Sequence, residues 1–165
     1  MSEDIVIVGM ARTPIGGLLG ELSGLTAAEL GAVAVRAAVK EAGVSGADQI
    51  IMGNVLSAGQ GQAPARQAAL KAGLAKSTEA VTLNKMCGSG LQAVAMARQA
   101  LLAGEADVVV AGGMESLSTA PWRVARPRNP YLMPRFIGHD QGDGTDASRL
   151  VDAAETVAQP APPTP

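Results

Sequence analysis

Aromatic residues are almost missing from this sequence: they make up 2% of its 165 positions, with one Trp, one Tyr and one Phe. Aromatic side chains usually bury the largest area per residue in a core. The core must therefore come from Ala, Val, Leu, Ile and Met, which account for most of the 47% of hydrophobic positions. These side chains let helices and strands approach closely, but each buries little area. We expect the fold to gain further burial from a partner subunit.

An excess of positive charge is also missing. The formal net charge is −2, and no basic stripe runs along the chain, so the sequence lacks the electrostatic footprint of a nucleic-acid-binding protein. One local basic run stands among prolines and asparagines, which indicates a loop able to meet an anionic ligand such as a nucleotide phosphate. Its members are Arg123, Arg126, Arg128 and Arg135.

Cysteines and long apolar runs are scarce as well. With a single cysteine, Cys87, the chain forms no intrachain disulfide, which is typical of a reducing compartment. The N-terminal residues Met1–Asp4 are acidic where a signal peptide would be basic. No apolar run approaches the ~20 residues of a membrane span. We expect a soluble, cytoplasmic protein with no metal site and no membrane contact.

Segments typical of strands and of helices alternate along the first part of the chain. Short aliphatic runs indicate buried strands, while a Thr26–Glu29 capping box, Pro64 and three following glycines mark helix starts and stops. Strands are predicted at Ile5–Gly9, Gln49–Met52, Glu79–Leu83 and Asp107–Ala111, and helices at Thr26–Ala42, Pro64–Ala72 and Cys87–Ala103. This order predicts an α/β layered domain over residues 1–118, with a mostly parallel mixed sheet and helices on both faces.

The character of the sequence changes after Ser118, where repeated prolines are expected to break any regular element. Residues 119–158 are predicted to form a partly ordered extension with one amphipathic helix over Ala147–Val157. Residues 159–165 contain four prolines and are predicted to be a disordered tail. The only histidine, His139, lies in the extension and is interpreted as an exposed loop residue.

The segment from Asn84 to Gly90 carries the most chemical information. It puts the thiol of Cys87 in a turn between a strand and an Ala-rich helix, where unpaired backbone N–H groups and the helix dipole favour a thiolate. Gly88 and Gly90 leave room for a substrate and allow backbone amides to face a developing oxyanion. The alternative, that Cys87 is simply a small buried hydrophobic residue, stays open at this point.

The same segment resembles the active-cysteine motif of the thiolase family. Further stretches resemble thiolase segments in the same order and at similar intervals: Ala11–Pro14, Gly59–Ala69 and Ala111–Ser118, with a weaker match at Asp152–Ala158. Together these motifs are far more specific than each alone. The resemblance implies a thiolase-like layered N-terminal domain. It also implies acyl transfer from one acyl-CoA to the α-carbon of another, or the reverse thiolysis of a 3-ketoacyl-CoA.

The resemblance also implies roles for individual residues. Cys87 would be the nucleophile that carries the acyl group. The oxyanion hole and the glycine turn beside it would be formed or supported by Gly88, Ser89, Gly90, Gly112, Gly113 and Met114. Asn84 and Glu115 match the family in a supporting capacity, and the dimer interface would include Gln62, Arg66 and Gln67. Coenzyme A thioesters would be the substrates, no cofactor would stay bound, and a homodimer or homotetramer is expected.

Part of the family's catalytic machinery has no match in this sequence. The resemblance implies a much longer protein, whose second half supplies a histidine in a Gly-His-Pro context, a second cysteine and an asparagine. Here the one histidine, His139, stands in a Gly-His-Asp-Gln context. Carbon–carbon bond formation needs a base for the α-proton of the second substrate. We therefore expect that this chain alone does not complete the full reaction.

Several hypotheses are compatible with these features. The chain is either a thiolase fragment or subunit that works with a separate C-terminal half, or a truncated, non-catalytic chain, or a relative such as a ketoacyl synthase. The combination of Asn84–Gly90 with Gly112–Ser116 favours a thiolase over a ketoacyl synthase. Residues 159–165 match nothing in the resemblance, which favours some form of truncation.

Overall fold

A computed structural model describes residues 4–121, 123–125 and 135–137. The elements in chain order are helix α1 (Ala27–Ala42), strand β1 (Gln49–Gly53), helix α2 (Pro64–Ala72), strand β2 (Glu79–Leu83), helix α3 (Ser89–Ala103), strand β3 (Val109–Gly113), a 3-10 turn (Leu117–Thr119), and strands β4 (Arg123–Ala125) and β5 (Arg135–Ile137). The chain divides into two compact units, Met1–Ala120 and Pro121–Pro165. All of the sequence-predicted site residues lie in the first unit.

The first unit is built on a three-stranded parallel sheet with the order β2–β1–β3. The strands are in register, so that Gln49 of the central strand lies between Glu79 and Val109, and Gly53 lies between Leu83 and Gly113. Each strand therefore ends at the same edge of the sheet, and the helix or loop that follows it begins there. The predicted α/β layered fold is confirmed.

Helices cover both faces of this sheet, as predicted. Side chains alternate between the two faces along a strand, and β1 shows this directly. Ile50 and Met52 pack into one core cluster with alanines of α1 and α2, whereas Ile51 packs into a second cluster with Ala93 and Ala97 of α3. Because most helix positions at these contacts are alanines, the helices lie close to the sheet.

Local signals in the sequence mark the helix ends correctly. Thr26 Oγ1 accepts the N–H of Glu29, and the Glu29 carboxylate accepts the N–H of Thr26, which completes the capping box. The glycines that follow the helices at positions 43, 73 and 104 are all left-handed, with φ of 68°, 93° and 70°. Glycine adopts this backbone conformation without steric cost, so each helix stops where the sequence predicts.

The prediction of a buried strand at Ile5–Gly9 is wrong. Within the described residues this segment joins no sheet, and Ile7 is 74% exposed. It runs beside the end of α1 instead, since a Cβ on Gly9 would lie 2.4 Å from the Ala38 carbonyl oxygen, and the Met10 N–H donates to Glu41. The aliphatic composition is typical of a strand, but strand formation also requires a neighbouring strand to pair with.

The last strand of the first unit starts two residues later than the predicted Asp107, at Val109. The physical reason is the carboxylate of Asp48, which accepts the N–H groups of Asp107 at 3.0 Å and Val108 at 2.9 Å. These amides are therefore bound to a side chain rather than to a strand. The same two hydrogen bonds, that from Val108 being the stronger cause, lower the pKa of the Asp48 carboxyl below its usual value.

The second unit contains a short antiparallel pair, in which Arg123 lies opposite Ile137 and Ala125 opposite Arg135. Regular structure therefore does occur after Ser118. The prediction from the prolines is wrong on this point, because two short strands form in stretches that contain no proline. The predicted helix at Ala147–Val157, the tail at 159–165 and His139 lie outside the described residues. Among the described helices, none is both long and apolar enough for a bilayer span.

Candidate active site

The residues that follow the strands meet at the carboxyl edge of the parallel sheet. Asn54 comes directly after β1, and its N–H donates to the carbonyl oxygen of Leu83 at 3.0 Å. Met114 comes directly after β3, and its N–H donates to the carbonyl oxygen of Gly53 at 2.9 Å. The hydrogen-bonding pattern of the sheet thus continues beyond the strands, and it fixes the starting points of the loops. In parallel α/β sheets, this edge is where ligands usually bind.

Three glycines let the start of α3 rest directly on this edge. A Cβ on Gly53 would come within 2.6 Å of the Cβ of Ser89, and a Cβ on Gly113 would come within 3.3 Å of the Cα of Gly90. Any larger side chain at Gly53 would therefore displace the helix. The close approach fixes the position of the turn that precedes α3, and this turn contains Cys87.

The turn before α3 is held by two polar side chains. Ser89, which is buried, accepts the N–H of Lys85 at 2.8 Å and donates its hydroxyl to the carbonyl oxygen of Met86 at 2.6 Å. Asn84 accepts the N–H of Met86 at 2.9 Å. Met86 itself has a φ of 50°, a left-handed conformation that is uncommon for a residue with a side chain. Both polar groups therefore stabilise a strained backbone immediately before Cys87.

Cys87 is exposed, with its thiol open to solvent at the start of α3. The interpretation of this residue as a small buried hydrophobic side chain is therefore wrong. An exposed thiol at a helix N-terminus has the access and the favourable dipole that a nucleophile requires. Within the turn, the N–H of Gly88 donates to the Lys85 carbonyl oxygen at 3.1 Å, and the N–H of Ser89 donates to the Met86 carbonyl oxygen at 3.0 Å. Both amides are therefore engaged, so the Gly88 N–H does not face an open oxyanion position, contrary to the expectation for this glycine.

Glu115 makes more hydrogen bonds at this edge of the sheet than its place in the sequence predicts. Its carboxylate accepts the N–H of Val55 at 2.8 Å, the N–H of Leu56 at 3.2 Å and the side-chain amide of Asn54 at 2.9 Å. Asn54 is 2% exposed, and its amide also donates to the Met114 carbonyl oxygen at 3.2 Å. The only signal for this role in the sequence is the position of Glu115 just after a strand that ends in two glycines.

Other predicted site residues lie elsewhere or are engaged in different contacts. The side chain of Met114 is buried in the core cluster on the α1 and α2 face, and its sulfur would lie 2.7 Å from a Cβ on Gly31. Gly112 is packed near the sulfur of Met52, which a Cβ on it would approach to 3.6 Å. Only the backbone of Met114 contributes to the sheet edge. No contact among the described residues supports the predicted role of its side chain in the oxyanion region.

The residues predicted for the dimer interface make contacts within the chain. Arg66 donates to the carbonyl oxygens of Thr78 at 3.0 Å and Lys76 at 2.8 Å, which ties α2 to the start of β2. The side-chain amide of Gln67 donates to the carbonyl oxygens of Gln60 at 2.7 Å and Gln62 at 2.9 Å. Arg66 therefore holds the loop between α2 and β2, whereas Gln67 holds the loop before α2. The place of these residues in an interface stays a prediction.

An open depression of about 420 Å³ lies at the other, amino edge of the sheet. Its lining includes Asp48, Thr78, Glu79, Gly104 and Asp107. None of the sequence-predicted site residues lines it. The depression is polar and shallow, and in the described ranges no group of three His, Cys, Asp or Glu side chains has the arrangement of a metal site.

Comparisons with known proteins point to one family. The family model described as "Thiolase, N-terminal domain" matches residues 5–156. Acetyl-CoA acetyltransferase, mitochondrial, from Xenopus tropicalis is 52% identical over 131 residues, covering 78% of this chain and 31% of that protein. The human protein of the same name is 50% identical with the same coverage. Acetyl-CoA acetyltransferase 2 from Arabidopsis thaliana is 53% identical over 140 residues, covering 84% of this chain and 34% of that protein.

A solved structure is also similar. The Acat5 thiolase from Ascaris suum, crystallised in complex with coenzyme A, superposes with a TM-score of 0.77 and 35% sequence identity, covering 90% of this chain and 42% of that one. The chain spans about a third of the length of the curated relatives named above. The expectation of a cytoplasmic location is contradicted, because the frog and human relatives are named as mitochondrial proteins.

Proposed function

The chain belongs to the thiolase family, and from this we propose that it carries out the acylation step of acyl transfer between coenzyme A thioesters, with Cys87 as the nucleophile. The observation that carries the proposal is the exposed thiol of Cys87 at the start of α3. Its turn is held by Asn84 and Ser89 in the segment that resembles the active-cysteine motif. The names of the acetyl-CoA acetyltransferase relatives support an acyl-CoA as the substrate.

In the proposed step, the Cys87 thiolate attacks the thioester carbonyl carbon of an acyl-CoA. A sulfur–carbon bond forms, and the carbonyl oxygen becomes an oxyanion in a tetrahedral intermediate. When the intermediate collapses, the bond to the coenzyme A sulfur breaks and coenzyme A leaves as a thiolate that takes up a proton. The acyl group remains on Cys87 as a new thioester, and this splits the overall transfer into two easier reactions.

Backbone groups of the turn would stabilise the oxyanion. The N–H groups of Met86, Gly88 and Ser89 are all engaged in hydrogen bonds inside the turn. We therefore propose the N–H of Cys87 itself as the donor from this chain, aided by the positive end of the α3 dipole. Gly90 then serves a steric purpose, since it lies against Gly113 with no side chain between them.

Full turnover needs groups beyond those described here. Transfer of the acyl group to a second acyl-CoA requires removal of an α-proton, for which the resemblance implies a histidine in a Gly-His-Pro context. The 165 residues contain no such sequence. We therefore propose that they perform acylation, and that the condensation step depends on residues of the family's second half.

We also propose that the chain self-associates along β2 and the start of α3, as the resemblance implies for the family. This side of the unit is apolar and exposed, with Leu91 at 79%, Met86 at 62% and Val81 at 43%. β2 has a neighbour on one side only within the described residues, so its other edge is free to pair. Sedimentation equilibrium of wild type and a Leu91→Glu variant tests this proposal: a dimer that the variant weakens supports it, and a monomeric wild type contradicts it.

Intact-protein mass spectrometry tests the proposed function. The wild-type chain and a Cys87→Ser variant are each incubated with acetyl-CoA. One acetyl adduct on the wild type and none on the variant would support acylation at Cys87. An unmodified wild type would contradict it and favour a non-catalytic chain. Steady thiolysis of acetoacetyl-CoA by the purified chain would contradict the restriction to a single half-reaction.

A further inference from the structure

Glu115 holds the loop that follows β1. Its Oε2 accepts the N–H of Val55 at 2.8 Å, and its Oε1 accepts the N–H of Leu56 at 3.2 Å and the side-chain amide of Asn54 at 2.9 Å. Residues 54–56 lie in no helix or strand, although Asn54 is fully buried. The Glu115 carboxylate accepts the backbone N–H groups of this loop, as the carbonyl groups of a neighbouring strand would do in a sheet. These hydrogen bonds are charge-assisted.

The loop is joined in turn to the segment that carries Cys87. The carbonyl oxygen of Val55 accepts the side-chain amide of Asn84 at 3.3 Å, while the carbonyl end of the same Asn84 side chain accepts the N–H of Met86 at 2.9 Å. An asparagine that bonds at both ends is fixed in one orientation. A continuous set of hydrogen bonds therefore runs from Glu115 through Val55 and Asn84 to the residue before Cys87.

The conformation of Met86 connects this set of hydrogen bonds to the position of the Cys87 thiol. Left-handed backbone at a residue with a side chain persists only when its surroundings hold it, and Met86 has a φ of 50°. Its N–H is held by Asn84 and its carbonyl oxygen by Ser89. If Asn84 loses its fixed orientation, we expect Met86 to relax towards extended backbone and Cys87 to move away from the N-terminus of α3.

We infer that Glu115 is a positioning residue for Cys87, acting through the loop after β1 and through Asn84. This inference rests on the proposed role of Cys87 as the nucleophile. Within the described part of the chain, Glu115 forms no ion pair, and the donors named above are all neutral. Its negative charge would oppose a thiolate nearby rather than favour one, so shape and electrostatics predict opposite effects when the charge is removed.

A Glu115→Gln variant separates these effects, because glutamine keeps the volume but replaces one acceptor by a donor. The rate of Cys87 alkylation by iodoacetamide is measured over a series of pH values on the full chain, with Glu105→Gln as the control. Glu105 is exposed, at the opposite edge of the sheet. We expect the alkylation rate near neutral pH to fall about tenfold in the Glu115 variant, which corresponds to the loss of one charge-assisted hydrogen bond that holds the turn. The midpoint of the profile should move to higher pH, because Cys87 leaves the positive end of the α3 dipole, and the control should match wild type.

Two results would overturn the inference. Faster alkylation with a midpoint shifted to lower pH in Glu115→Gln would mean that the charge acts on the thiolate directly. A wild-type rate profile would mean that Glu115 holds the loop after β1 but does not position Cys87. Asn84→Ala provides an independent test if Glu115→Gln fails to fold: slower alkylation supports the path, and a wild-type rate refutes it.

The double variant tests whether the two residues act along one path. If they do, Glu115→Gln combined with Asn84→Ala is no slower than the slower single variant, whereas additive losses would contradict a shared path. Because alkylation needs no acyl transfer, its outcome is separate from that of the proposed function. Absence of an acetyl adduct on the wild type would remove the proposed acylation, while the alkylation rates would still decide the positioning role.

Discussion

Gly53 and Ser89 are in such close contact that a Cβ built on the glycine would come within 2.6 Å of the serine Cβ. Gly53 is the last residue of the central strand, and Ser89 is the first residue of the helix that follows Cys87. The backbone of β1 at Gly53 therefore packs directly against the Ser89 side chain of α3. The proposed nucleophile is positioned by this contact as much as by its own turn.

The first prediction concerns this contact. A Gly53→Ala substitution should lower the free energy of unfolding by about 1–3 kcal/mol, because the added methyl group forces α3 away from the sheet. The measurement is urea denaturation followed by far-UV circular dichroism. Gly46→Ala is the matched control, since a Cβ at Gly46 meets nothing within 4 Å. Equal unfolding midpoints for the two variants would contradict the packing described here.

The second prediction concerns the hydroxyl of Ser89. Ser89→Ala should cost about 1–3 kcal/mol of stability, since it removes both hydrogen bonds of the hydroxyl and leaves polar groups of the turn without their partners. The exposed Ser57 offers a control, and Ser57→Ala should be close to neutral. Urea midpoints of both variants check this. If Ser89→Ala is as stable as the control, the hydroxyl does not hold the turn.

The third prediction is a pH dependence that originates at Asp48. The folded pKa of its carboxyl is lowered from 3.8 by backbone hydrogen bonds, that from Val108 first. The ionised carboxylate therefore stabilises the fold above this value, and the contribution is lost as the pH falls through the folded pKa. The difference in unfolding free energy between wild type and Asp48→Asn should be constant near neutral pH and shrink below pH 3.8.

Urea denaturation at a series of pH values measures this difference. Glu105→Gln serves as the control for removal of one exposed carboxylate, and it should not reproduce the loss in acid. A difference for Asp48→Asn that stays constant down to the most acidic sample would show that the hydrogen bonds to Asp107 and Val108 do not depend on ionisation.

The fourth prediction concerns the start of α1. Thr26→Ala removes the oxygen that accepts the N–H of Glu29 and should lower stability by about 1 kcal/mol. Ser45→Ala is a suitable control, because Ser45 is exposed in the loop between α1 and β1. Chemical denaturation of both variants provides the comparison. An unchanged Thr26→Ala midpoint would mean that the capping box does not contribute to the stability of the unit.

Much of the fold follows from local signals. The bounds of α2 and β2 agree with the sequence prediction at both ends, because Pro64 and Gly73 act on the backbone within one or two residues of where they stand. The failure at Ile5–Gly9 has the opposite cause. Strand formation there depends on a partner distant in sequence, and composition alone does not supply it.

The contacts of the candidate site also divide into those that are local in sequence and those that are distant. The turn at Cys87 could be predicted because its polar partners, Asn84 and Ser89, lie within three residues of it. The contacts of Glu115 could not, since its hydrogen-bond partners lie 59 to 61 positions earlier in the chain. Only the parallel register of β1 and β3 brings them together.

The left-handed backbone at Met86 also limits how this chain can vary. Glycine at this position would remove the strain of the folded state but would enlarge the set of conformations open to the unfolded chain, so the two effects on stability oppose each other. A β-branched residue would add steric conflict without any such compensation. We therefore expect β-branched residues to be excluded at position 86, although Met86 is 62% exposed.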